Sequence, residues 1–294
     1  MRELEDAWAP PSGTPVGTQG WYQANDGEWY RSGEPPAPGY WLARDGRWYP
    51  AGPTSEAWHT SQWGLGDVWL GVLAYFVAGI IALIGALIID ELVGGVDEDG
   101  AITIAAFVAL NAVATIGVIW FASHRKGLGS LRADFGLAMR RWDPFVGIGV
   151  GLAAVIVAGL ASYGIDSAFG ADEPTSNVPV DDLTSFRDFA AFFIAVAILT
   201  PVVEELFFRG LLYRSLLKRG RSVPRAIATT TALFVLPHLP AVDSWPEVAS
   251  LCASIGVLGL AFALACHWTG NRLAAPITAH LVVNGLAAVS LYLA

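Results

Sequence analysis

Long apolar runs recur along this chain, each the length of a bilayer core and each separated from the next by a polar, charged stretch. A core about 30 Å thick needs roughly 20 apolar residues of helix. The runs Val68–Ile89, Ala101–Ala122 and Pro144–Ile165 meet that length, as do Val248–Trp268 and Leu273–Leu293. A fourth span begins in the apolar run Phe189–Leu199 and continues through Thr200-Pro201-Val202-Val203-Glu204-Glu205-Leu206-Phe207-Phe208-Arg209. A fifth, shorter one runs from about Ala226 and is broken by Pro237 and Pro240. The pattern predicts an all-α polytopic membrane protein with about seven transmembrane helices, or eight if residues 226–248 add a split helix.

The first sixty residues follow another pattern. Gly20-Trp21-Tyr22-Gln23-Ala24 … Asp26-Gly27-Glu28-Trp29-Tyr30 recurs nineteen residues later as Gly39-Tyr40-Trp41-Leu42-Ala43 … Asp45-Gly46-Arg47-Trp48-Tyr49. Asp-Gly between aromatic pairs is a two-residue hairpin signal. The reading is a small β-hairpin-like or disordered Trp/Pro/Gly-rich tail over 1–65, N-terminal transmembrane helices over 66–165, and a second membrane domain over 166–294. Similar Trp-rich modules precede membrane domains in actinobacterial proteins, and the tail is a candidate binding unit for a protein partner.

Composition agrees: the chain is 54% hydrophobic, only 15% charged, and has a mean hydropathy of +0.50. A net charge of −9 does not suggest nucleic acid. The basic stretches, Arg125 to Arg141 and Arg214 to Arg225, follow even-numbered spans, while the acidic loops follow odd-numbered ones. Basic loops stay cytoplasmic. That places a multi-pass protein in the cell membrane with its N-terminus in the cytoplasm and its C-terminus outside. Cys252 and Cys266 would stand about 21 Å apart on one helix, too far for a disulfide.

Polar side chains inside the spans are the candidates for chemistry, because a carboxylate at the bilayer centre costs about 2.5–3.5 kcal/mol. Glu205 and Arg209 are four apart and share a helix face, so they can pair. Glu204 lies about 100° away and has no partner in its stretch. Glu205 and Arg209 are therefore read as holding the helix, and Glu204 as doing the chemistry. His238 sits between two prolines, where broken helix at membrane depth implies a cavity. His280 and Asn284 share one face of the last span. His59, His124 and His267 are read as solvated or interfacial. The small pair Gly147 and Gly151 is read as a packing contact.

E-E-x-x-x-R, F-x-x-x-H and H-x-x-x-N, in that order on successive apolar segments, resemble the CPBP intramembrane proteases, the CAAX-protease and bacteriocin-processing (Abi) family. The resemblance covers roughly 180–294. It implies hydrolysis of a peptide bond in a membrane-associated protein or peptide. Glu204 would be the general base, His238 would orient the water, and His280 and Asn284 would donate to the oxyanion. Glu205 and Arg209 would be supporting. Two variants stay open. Glu204, His238 and His280 could ligate a catalytic Zn2+ with an open water position, or the same residues could work without metal. H-E-x-x-H is absent. Two other classes compete: a non-catalytic immunity or scaffolding protein of the same fold, and a proton-coupled transporter, since buried Glu and His also form relays.

Overall fold

The computed structural model describes residues 21–23, 29–31, 40–42, 48–50, 57–93, 100–169, 183, 185–241 and 244–293. Four short strands, β1 (Trp21–Gln23), β2 (Trp29–Arg31), β3 (Tyr40–Leu42) and β4 (Trp48–Pro50), pair as two antiparallel hairpins, one per repeat. The registers Gln23↔Trp29 and Leu42↔Trp48 leave five-residue connections rather than two-residue ones. The Asp-Gly pairs in those connections lie outside the described residues.

A 3-10 turn, Ala57–Thr60, leads into the helices. These are α1 (Leu65–Val93), α2 (Ala101–Lys126), the short α3 (Leu131–Phe135), α4 (Asp143–Phe169), α5 (Phe186–Lys218), α6 (Val223–Val235), α7 (Trp245–Trp268) and α8 (Ala274–Leu293). Among the described residues six helices, all but α3 and α6, are long and apolar enough to cross a membrane, one fewer than the seven expected by pattern. The stretch expected as the fifth span is the exception. Pro237 and Pro240 have no N–H with which to continue the helical ladder. So α6 stops at Val235 after 13 residues, and the chain continues as a 3-10 turn, Leu236–Ala241.

One end of the bundle is a polar plate. The Asp134 carboxylate, wholly buried, accepts from Trp63 Nε1 (2.8 Å), Ser123 Oγ (2.7 Å) and the Leu128 backbone N–H (2.9 Å). Arg214, at the end of α5, donates to the carbonyls of Ala133, Asp134 and Asn271 at 3.2, 2.8 and 2.7 Å. Asp143 at the start of α4 takes a two-pronged bond from Arg272, 2.7 Å on each prong. Gly136 (φ 75°) turns the chain where the Asn271 carbonyl and the Arg214 guanidinium crowd its α-carbon. Trp58 and Trp63 are buried in this plate and are part of the main core; Trp58 lies 5.1 Å under the Arg214 guanidinium. Residues 57–64, read as tail, thus pack on the helical body.

The plate collects the start of α1, the end of α2, the start of α4, the end of α5 and the α7–α8 turn. Far from it, Ser162 Oγ on α4 meets Ser250 Oγ near the start of α7. The segment between α5 and α7 therefore carries the chain from the plate to the opposite end. Gly147 and Gly151 are the close contact of α4 with α8, as the small-residue pair suggested. A Cβ on either would meet the Ala275 or Ala279 carbonyl oxygen at 2.5 or 2.7 Å.

Candidate functional site

Helix α5 is not uniformly α-helical, and its irregularity shapes the site. It winds as a π-helix over Phe193–Leu199 and again over Leu206–Leu212, with α-helix between, Thr200–Glu205. The Thr200 N–H bonds the Ala195 carbonyl, five residues back. In that register the Val196 carbonyl would take the N–H of residue 201, which is proline and has none. Asn284 Nδ2 fills the vacancy, donating to Val196 O at 2.8 Å. Single π turns inside α-helices gather at functional sites.

The α turn that follows sends the two carboxylates in different directions. Glu205 points into the protein and is wholly buried. Its Oε1 accepts from Arg209 Nη1 at 2.8 Å and meets His280 Nδ1 at 3.2 Å. Arg209 Nη2 donates to the Gly259 carbonyl at 2.8 Å. The guanidinium lies 4.6 Å from the Phe234 ring centroid and 5.6 Å from that of Phe262, so aromatic faces complete its shell. Gly259 permits this approach, for a Cβ there would stand 3.1 Å from Phe234. Glu205 Oε2 has no partner among the described residues.

Glu204 instead faces a cavity of about 590 Å³, and its side chain stays 29% exposed. His238, His280 and Asn284 line the same cavity, with Phe234 and Phe262 among its apolar walls. The four residues expected to do chemistry thus share one space, and Glu205 and Arg209 stand behind it. His280 Nε2 is 3.9 Å from Glu204 Oε2. That is too long for a hydrogen bond and leaves room for an intervening atom.

Partners settle the histidine tautomers. A carbonyl only accepts, so His238 Nδ1, 2.9 Å from Phe234 O, carries the proton. A carboxylate likewise takes the proton of His280 Nδ1. Both neutral imidazoles then turn an Nε2 lone pair outward. His267, by contrast, bonds Tyr213 Oη at 3.3 Å, and His124 its own helix carbonyl at Trp120. Neither lines the cavity, and neither does His59.

The three-ligand zinc option was tested on this geometry. Imidazoles held at Nδ1 by a carbonyl and a carboxylate are well-oriented ligands. Yet among the described residues no three His, Cys, Asp or Glu side chains gather closely enough to hold one ion. The residues present do not fit the expected set of Glu204, His238 and His280.

Residues 186–286 match the family model described as type II CAAX prenyl endopeptidase, Rce1-like. That segment is a CAAX-protease-family domain. No characterised protein and no solved structure gives a significant match. The matched segment takes in α5 through most of α8, hence Glu204, His238, His280 and Asn284, and its family is one of membrane endopeptidases. The other walls of the cavity, from α1 and α2, lie outside it. Sequence reasoning did not find the Glu205–His280 contact. The i,i+4 spacing showed only the Arg209 partner, and no local signal reports a contact across 75 residues.

Proposed function

We propose that the chain hydrolyses a peptide bond of a membrane-associated protein or peptide, with Glu204 as the base that activates water. The observation that carries this reading is the shared cavity, in which a half-open Glu204 carboxylate stands 3.9 Å from His280 Nε2. Water held at Glu204 attacks the carbonyl carbon as its proton passes to the carboxylate. The C=O electron pair moves to oxygen. When the C–N bond breaks, Glu204 returns the proton to the leaving nitrogen. Glu205 holds the His280 ring at Nδ1 so that Nε2 faces the oxyanion, to which it donates when it carries a proton. His238 Nε2 accepts from the water and orients it. The second N–H of Asn284 is available to the oxyanion, while the first ties α8 to α5.

The same reading has seven passages through the bilayer. The 13 residues of α6 and six of the 3-10 turn extend about 32 Å at standard rises. The basic plate end is cytoplasmic by the positive-inside rule, so the N-terminal tail is cytoplasmic too. The repeats recruit a substrate or partner protein. Deleting residues 1–56 keeps Trp58 and Trp63 in place and should slow cleavage of the native substrate without changing cleavage of a short peptide.

The test is Glu204→Gln in the purified full chain. Cleavage is expected to vanish while the detergent melting temperature holds. Unchanged turnover would refute the assignment. Chelator treatment with metal analysis of active protein should leave turnover intact; chelator-sensitive turnover restored by Zn2+ would revive the ligand role.

A further inference from the structure

The proposed reaction needs hydrogen-bond donors for an oxyanion, and the cavity's nitrogen groups are poorly supplied with them at rest. His238 and His280 present lone pairs at Nε2 in their neutral tautomers. Asn284 gives one N–H to Val196. Among the cavity hydroxyls, Thr200 donates to the Ala195 carbonyl and Ser254 to the Leu251 carbonyl. Tyr75 on α1 also lines the cavity, and its phenol has no hydrogen-bond partner among the described residues.

Helix packing decides which way Tyr75 faces. α1 leaves the plate where α5 arrives, so the two run antiparallel. Gly71 is their contact point: a Cβ there would lie 2.8 Å from Phe207 Cε2. One turn farther from the plate, α1 carries Tyr75 on the face of Gly71, four residues on. One turn farther from the plate, α5 carries Val203 and Glu204 on the face of Phe207. Both are cavity residues. Tyr75 therefore stands across the cavity from Glu204, within Coulombic reach of its carboxylate. The residue is 44% exposed.

We infer that Tyr75 is a catalytic residue of this enzyme: its phenolic O–H donates a hydrogen bond to the scissile carbonyl oxygen as that oxygen becomes negative. The inference rests on the proposed hydrolysis and extends the active site to α1, outside the CAAX-protease domain. Gly71 sets the approach of α1 that brings the phenol within range. Tyr75 forms no covalent bond to substrate and keeps its proton, so the step needs no further reactant.

The experiment uses the full chain in detergent and the internally quenched peptide that the wild type cuts best from a randomised apolar library. Tyr75→Phe removes the hydroxyl alone. The expected result is a fall in kcat of about 10²-fold, the usual scale for one lost oxyanion donor, with KM and melting temperature unchanged. Tyr75→Leu should lose kcat to the same degree and also raise KM, since the ring is gone. A Tyr75→Phe variant with kcat within about twofold of wild type would overturn the inference. So would a loss confined to KM. If Glu204→Gln is dead and Tyr75→Phe is fully active, the hydrolysis stands and only Tyr75 falls. If the wild type cuts no peptide, or Glu204→Gln still cuts, both fall.

Discussion

Two buried arginines on α5, Arg209 and Arg214, meet the same desolvation problem with different partners. Arg209 lies opposite a carboxylate, 2.8 Å from Glu205, among three phenylalanine rings. Among the described residues no carboxylate hydrogen-bonds Arg214. It donates to carbonyls from two other chain segments and rests on Trp58. The first arrangement leaves a carboxylate whose remaining capacity is shared with His280, so its charge reaches the cavity. The second joins α5 to the α3 turn and to the α7–α8 turn, far from any reacting group. In the proposed reaction one arginine serves the chemistry through its partner; the other holds chain ends together.

That contrast can be broken deliberately. Arg209→Leu strands a buried carboxylate and should cost about 3–5 kcal/mol, read as a lower melting temperature in detergent, with cleavage abolished. Arg209→Met with Glu205→Leu removes both charges and should recover most of that stability. Cleavage should stay absent, because His280 Nδ1 loses its acceptor. Recovery of turnover in the double variant would show that the pair is structural only. Arg214→Lys cannot reproduce a planar fork to three carbonyls and should cost about 1–3 kcal/mol. Its kcat on the surviving fold should stay within about twofold of wild type, and a larger loss would mean that the plate and the cavity are coupled. The smallest effect belongs to the pair Lys126–Asp67, whose lysine side chain is 40% exposed. Lys126→Ala should change stability by less than about 1 kcal/mol and leave turnover untouched.

The cavity was far more legible in the sequence than the plate. Glu204, Glu205, Arg209, His238, His280 and Asn284 stand out because each is polar within an apolar run, where membrane burial makes polarity costly. The contact of Glu205 with Arg209 follows from helical spacing alone. Asp134, Arg214 and Arg272 sit among other charged residues at helix ends, so nothing local separates a buried charge there from a solvated one. Trp63 and Asp134 are 71 positions apart, and Lys218 reaches back 157 residues to Ser61. Spacing rules operate over one or two turns and cannot report such pairs. Asn284 was legible as a polar residue but not in its contact, since the free Val196 carbonyl exists only in the π register before Pro201. The short fifth helix was foreseen as broken at Pro237, while its failure to reach spanning length depended on where the α winding ended. The two hairpins were legible in the repeated aromatic pairs around Asp-Gly, and the strands pair with Gln23 opposite Trp29 and Leu42 opposite Trp48.

The burial of Trp58 and Trp63 has a consequence for the repeats upstream. It pins residue 57 to the underside of the helical body, so the second hairpin hangs on a leash of seven residues from Pro50 to Ala57. At a maximum of about 3.5 Å per residue, that leash is no longer than roughly 25 Å. A partner recruited by the hairpins, as proposed, would be confined to a shell beside the bundle, at a local concentration on the order of millimolar. A weak grip is therefore enough to keep a protein waiting at the enzyme's door.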